Sequence, residues 1–319
     1  RPYRHPQSAR PWQAARWWCR PRGHRPPYSA FSGASLQNLL NEAAIYAARQ
    51  GKSEIGYDEI DNAVDRTMVG LEKKDAVQSL QRRELVAFHE AGHAVAGAMI
   101  PDYDMVQKIT IIPRTNGAGG LTFFSPSESR LETGLYSQQY LEGQLAVALG
   151  GRVAEEMIYG EVGTTTGASN DLQQVGSIAG RMVKEWGMSK KVGPIMIREP
   201  EGGQPFMGRQ QMQGAPPQWG GKMMTLADQE VDRLVTNAYT TCKTILTENR
   251  VLLDELAKKL LEQETVSAEE FQLLIAAHGR YMAPYQIYGD SEDRNKVLPY
   301  KEQPEVSELY SIDEAAPAM

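Results

Sequence analysis

Apolar residues recur every three or four positions along most of the chain, the period of helices with one buried face. In FSGASLQNLLNEAAIYAARQG, residues 31–51, a stripe of Leu36, Leu39, Leu40, Ala43 and Ala47 predicts a helix. Ser32 or Ser35 is its candidate N-cap and Gly51 its stop. YDEIDNAVDRTMVG repeats the pattern with Ile60, Val64 and Met68, and Gly70 closes it. Residues 76–100 read as one long helix ended by Pro101. The period then changes. VQKITIIPR and GGLTFFS are rich in β-branched and aromatic residues and flank the Gly-rich TNGAGG, so they predict two strands. Helical spacing returns over residues 135–159, with a break at Gly150 and Gly151 and an end at Gly160. Another helix is predicted from about Asn170 to Trp186, whereas the Gly/Pro/Gln-rich residues 200–221 read as a mobile loop. Val231, Leu234, Val235, Ala238, Cys242, Ile245 and Leu246 mark a strongly amphipathic helix. Residues 252–261 give a second, and VSAEEFQLLI a third, capped by Ser267. The expected fold is mainly α with a small β-sheet.

Composition changes this picture at the ends. Residues 1–30 carry seven Arg, six Pro and three of the five Trp, with no Asp or Glu. Pro at that density prevents regular helix, so disorder is expected there. The segment resembles an Arg-rich organelle transit peptide, although the chain starts with Arg rather than Met and reads as a fragment or a misjoined product. After about residue 282 the chain is acidic and Pro-spotted, which predicts a solvated tail, residues 283–319. The whole chain, 41% hydrophobic and with a net charge of −6, has an ordinary globular balance and offers no electrostatic case for nucleic acid. No run approaches the ~18 apolar residues of a membrane span. Cys19 and Cys242 are the only cysteines, too few for a disulfide framework or a Cys-rich zinc module. Any metal must therefore be held by His and carboxylate.

Residues 87–95 read AFHEAGHAV. On a helix, positions i and i+4 share one face, so His89 and His93 can aim two imidazoles at one ion. Glu90 lies about 100° round the helix, beside that ion without taking a ligand position. This is the HExxH arrangement, in which zinc with three protein ligands keeps one position for water and lowers its pKa to about 7. The carboxylate then takes the water's proton and passes it to the leaving amine. A helix with two satisfied core histidines is the bland alternative. Against it stand Ala91, Gly92 and Ala94, small residues that let another segment approach closely. No third His follows at metzincin spacing, so a carboxylate must complete the set. Glu155 and Glu156 in GGRVAEEMIYG and Asp171 in TTTGASNDLQQV are the candidates, and composition does not choose among them.

HEAGHAVAG, LGGRVAEEMIYG, TTGASNDLQQV and KLLEQETVSAEEFQLL together resemble the FtsH family of membrane-anchored, ATP-dependent zinc metalloproteases. FSGASLQNLLNEAAIYAARQ is similar to the end of that family's AAA ATPase module, a small helical lid. The stretch LTFFSPSESRLETGLYSQQYLEGQLAVALGG is most similar to its chloroplast and cyanobacterial branch. The resemblance implies a lid remnant over residues 31–75 and a helical metallopeptidase domain over 76–282. It implies one Zn2+ per chain held by His89, His93 and Asp171, with Glu90 as catalytic base. It implies a sheet edge within residues 117–124, including Gly119, Gly120, Leu121 and Thr122, to which an extended, unfolded polypeptide adds as a strand. Such pairing reads backbone and tolerates many side chains. A hexamer with related subunits and a thylakoid membrane location are also implied, with the mitochondrial or bacterial inner membrane as alternatives.

Departures from the family are expected to matter. A phosphate-binding loop G-x-x-x-x-G-K-[ST] is not found: Gly51, Lys52 and Ser53 supply an ending, but Tyr46 stands where its first glycine belongs. Gly221 and Lys222 are followed by Met223. Ser35 stands where the family usually has Asp. Gly33 and Ala34 lie where the family's lid approaches adenine, and alone they are not expected to hold ATP/Mg2+. Contact with a membrane is expected only through a missing segment or through partners. Two readings follow: a zinc endopeptidase domain without its motor, or a truncated subunit that works only when assembled with full-length partners.

Overall fold

The computed structural model describes residues 33–70, 73, 79–115, 117, 119–126, 130, 133–197 and 220–280. The expectations for residues 1–30, for most of the 200–221 loop, for the 283–319 tail, for Ser32 and for the Met68 side chain lie outside the described residues. No helix among the described residues is long and apolar enough to cross a membrane.

Two helices open the described residues. The first, α1 (Gly33–Arg49), buries Leu39, Ala43 and Ala47 as its stripe predicts, while Leu40 stays 39% exposed. Ser35 is not its cap, because the helix already begins at Gly33. The second, α2 (Tyr57–Val69), starts with Glu59 accepting from the Gly56 N–H at 2.8 Å and ends at Gly70, whose φ of 88° favours glycine. Leu39, Ala43, Ala63 and Val64 form a core between them, joined by Leu36, Ile55 and Ile60.

The central element is α3 (Leu80–Met99), capped by Ser79, which accepts from the Arg82 N–H. It starts later than residue 76 and stops where expected, since Pro101 pushes Ile100 out of the helical region. From Ala87 onward it is buried on nearly all sides, because it packs against both helices and sheet. Strand β1 (Met105–Thr110) pairs antiparallel with β2 (Leu121–Ser125), with an irregularity between Val106 and Lys108. Its other side pairs with β3 (Thr265–Ser267), three residues too short to show a period. The order β2-β1-β3 leaves β2 at an edge, with no strand on its outer side among the described residues.

The break expected at Gly150 and Gly151 falls at Leu149 instead, separating α4 (Gln138–Ala148) from α5 (Gly150–Tyr159), which Gly160 ends at φ 76°. Two short 3-10 turns, Glu161–Gly163 and Thr166–Ala168, lead into α6 (Ser169–Lys184). Helix α7 (Gly221–Glu248) begins about ten residues earlier than its apolar stripe suggests, its first turns hidden by Gly220 and Gly221. It is followed by α8 (Arg250–Gln263) and α9 (Ala268–His278). Ser267 caps α9 as expected, in a reciprocal capping box with Glu270.

Candidate metal centre

The site is built where α3 and α5 cross. Their approach is closer than side chains allow. A Cβ on Gly92 would lie 2.3 Å from the Gly150 carbonyl oxygen, and one on Gly150 would lie 2.7 Å from that of Gly92. A Cβ on Gly151 would lie 2.4–2.6 Å from three atoms of the His89 ring. The small residues of HEAGHAV are thus met by the chain's own GG pair, and His89 rests on bare backbone.

Both histidines have their outer nitrogen committed. His93 Nδ1 is 2.8 Å from the Val147 carbonyl oxygen, which can only accept, so Nδ1 carries the proton. That carbonyl lies in the last turn of α4, which stops at Ala148. His89 Nδ1 is 2.9 Å from Glu155 Oε1, and Glu155 Oε2 accepts the Thr165 N–H at 2.7 Å. Glu155 is wholly buried. With protons on both Nδ1 atoms, the two Nε2 atoms, 3.2 Å apart, are the ring nitrogens left to share a cation or a proton.

Asp171, in the first turn of α6, brings Oδ2 to 3.3 Å from His89 Nε2 and 3.6 Å from His93 Nε2. Three ligand atoms at a zinc distance of about 2.0–2.1 Å in a tetrahedron would sit about 3.3–3.4 Å apart. The observed separations match that edge length, and two imidazoles with one carboxylate are ordinary zinc donors. The residues therefore fit the ion. Among the described residues this is the single such group. Electrostatics agree. Burial disfavours the charged form of His89, but Asp171 and Glu155 outweigh it and raise its pKa to about 10. Burial likewise opposes the Asp171 carboxylate, and the two histidines outweigh it and hold its pKa well below the usual range. The pocket attracts positive charge.

Glu90 lies beside this group and is 8% exposed. Burial raises its pKa, against the opposing pull of His93, His89 and a hydrogen bond from the Thr122 hydroxyl, which reaches Oε2 at 2.8 Å. Gly120 leaves room for the other oxygen, since a Cβ there would lie 2.8 Å from Oε1.

Of the three acids open in the sequence, Asp171 faces both Nε2 atoms. Glu155 is on the far side of His89, against its Nδ1. Glu156 points away, to Tyr239 Oη at 2.6 Å and Lys243 Nζ at 2.9 Å. Gly119 and Gly120 lead into β2, where Leu121 and Thr122 pair with Thr110 and Ile109. Gly33 and Ala34 are exposed at the start of α1. Gly151 and the Glu90 contact of Thr122 are functional details that spacing alone does not show, because both depend on packing between distant segments.

The family model described as peptidase family M41 matches residues 76–274. The chain is 53% identical over 253 residues to ATP-dependent zinc metalloprotease FtsH 3 of Synechocystis, covering 79% of this chain and 40% of that protein. It is 54% identical over 244 residues to the chloroplastic FTSH 1 of Oryza sativa, covering 76% of this chain and 35% of that protein. For the chloroplastic FTSH 1 of Arabidopsis thaliana the identity is 53%, over 76% of this chain and 34% of that protein. The chain thus spans well under half the length of these curated relatives.

Proposed function

The chain belongs to peptidase family M41, and from that premise we propose that it is a zinc-dependent endopeptidase acting on unfolded polypeptide. The observation that carries the reading is the convergence of His89 Nε2, His93 Nε2 and Asp171 Oδ2, with the Glu90 carboxylate alongside. These three side chains would hold the ion. When bound, zinc supplies Lewis-acid activation of water and polarisation of the peptide carbonyl. Glu90 does the proton work: its carboxylate accepts a proton from the attacking water and returns it to the leaving nitrogen. Glu155 and Val147 keep both Nε2 lone pairs turned inward by holding the Nδ1 protons outward.

Substrate enters as a strand. The outer edge of β2 supports this, because no strand pairs with it among the described residues and it lies next to Glu90. Pairing through backbone favours extended, sequence-tolerant substrates. Residues 31–75 serve in this reading as the lid remnant of an ATPase module, and ATP/Mg2+ acts in a longer assembly rather than on this chain. Related subunits complete a hexamer at a thylakoid membrane in this reading, and similarity to chloroplastic relatives supports the organelle.

Metal analysis with a cleavage assay tests the reading. The purified chain should hold one zinc, and Asp171→Ala should lose it. Glu90→Gln should keep the zinc yet cut casein at least about 100-fold more slowly. Wild-type rates from Glu90→Gln would remove Glu90 as the base, and zinc retained at full affinity by Asp171→Ala would remove Asp171 as a ligand.

A further inference from the structure

Strand β2 lies along α3 and touches it through alternate residues. Phe124 packs where a Cβ on Gly97 would lie 2.4 Å from its ring, and two positions earlier Thr122 reaches Glu90. The Thr122 hydroxyl is 2.8 Å from Glu90 Oε2 and 3.1 Å from the Glu90 backbone oxygen. It has one proton to give. The carboxylate contact is shorter and charge-assisted, so the proton goes to Oε2. Opposite it, the missing side chain of Gly120 leaves Oε1 uncovered. One carboxylate oxygen is thus tethered, while among the described residues no side chain donates a hydrogen bond to the other.

Resting on the metallopeptidase reading above, we propose that Thr122 is a positioning residue, whose hydroxyl fixes Glu90 Oε2 so that Oε1 is the oxygen that takes the water's proton. The proton moves from water to Oε1 and then to the leaving nitrogen, while the Thr122 proton stays on its own oxygen. Because Thr122 belongs to the edge strand, the strand that would receive substrate also sets the direction of the base. A substrate bound in good register therefore finds Glu90 already aimed.

The test uses the full chain and an extended fluorogenic peptide, comparing wild type with Thr122→Val, Thr122→Ala and Thr122→Ser. Thr122→Val keeps the shape and loses the donor. It should retain one zinc per chain and leave KM within about twofold, while kcat falls at least about tenfold. Thr122→Ser should restore most of that loss, and Thr122→Ala covers the case in which the valine variant does not fold. A second readout needs neither metal nor turnover. In the metal-free protein, Thr122→Val should lower the melting temperature with Glu90 present and much less in a Glu90→Ala background. Unchanged kcat, a rise in KM alone, failure of serine to rescue, or additive melting shifts would each overturn the assignment. A wild type that neither binds zinc nor cuts peptide would instead overturn the metallopeptidase reading, and the melting cycle would still decide whether Thr122 holds Glu90.

Discussion

At the scale of single residues, the glycines around His89 decide more than the ligands' own spacing does. Gly151 is helical, and a helix interior favours Ala over Gly by about 1 kcal/mol. A methyl there would nevertheless lie 2.4–2.6 Å from the imidazole, so the ring must move. Displaced outer-shell partners cost roughly 10–100-fold in metal affinity. Gly151→Ala should therefore weaken zinc binding by at least tenfold, read by competition with a chromophoric chelator, while the metal-free fold melts near the wild-type temperature. Gly92→Ala is the contrasting case. Its methyl would meet the Gly150 carbonyl at 2.3 Å, a backbone atom with no rotamer to change. It should destabilise the fold itself, by about 1–3 kcal/mol in denaturant titrations, with or without metal. An affinity loss without a stability loss at Gly92 would show that the helices can part at no cost. The small residues of HEAGH and the GG pair are each visible in the sequence. That each requires the other is a fact of helix crossing, which a linear pattern does not contain.

At the scale of elements, periodicity was informative wherever a helix has one buried face and silent elsewhere. The helices starting at Gln138 and Ala268 were legible because an apolar stripe agreed with a glycine or a cap, and the one starting at Arg250 from its leucines alone. Strand β3 was not, since three residues carry no alternation and its pairing with β1 spans more than 150 positions. The first ten residues of α7 were not legible either, because Gly220 and Gly221 hide the start and a buried Glu230 interrupts the apolar stripe. The end of α7 nearest α6 is instead held by charge. Glu230, 1% exposed, accepts from Ser189 at 2.9 Å and pairs with Lys191 at 2.9 Å and Arg233 at 3.0 Å. Burial raises the carboxyl's pKa, but hydrogen bonds from Arg233, Lys191 and Ser189 outweigh it and bring it to about 2. An unfolded glutamate titrates near about 4.3. The folded form thus resists protonation, and its stabilisation is complete above about pH 4.3 and fades as pH falls through about 2. Lys191 and Arg233 are 64% and 40% exposed, so solvent screens the network and about 2 kcal/mol is a fair size at neutral pH. In metal-free protein, wild type should exceed Glu230→Gln in stability by about that much at neutral pH, and the gap should narrow toward pH 3. A gap that is constant with pH would mean that the network's ionisation contributes nothing to folding.

At the scale of the whole molecule, the proposed metal centre would join segments that otherwise meet through few contacts near the site. His89 and His93 belong to the buried central helix, whereas Asp171 arrives on α6 after two short turns whose Val162 is fully exposed. The distance along the chain between the two groups is why Asp171 could not be chosen from composition, and only family resemblance pointed to it. It also makes a bound ion a cross-link. Any ligand that binds the folded form alone stabilises it by RT ln(1 + [L]/Kd), about 4 kcal/mol when free ligand is a thousandfold above Kd. For a domain of this size 1 kcal/mol moves the melting temperature by about 2–4 °C, so stripping zinc with a chelator should lower it by roughly 10 °C. Hydrogen exchange should locate the loss. Amides of residues 161–175 should gain the most exchange, because that segment is tied to the helix core by Asp171 and by the Thr165 to Glu155 hydrogen bond. The centre of α3, packed on all sides, should change little. Asp171→Ala should already melt near the chelated wild type and respond to chelator hardly at all. If it kept a melting shift on chelation as large as the wild type's, the ion would be held elsewhere, and the convergence of these three side chains would be a polar cluster without a cation.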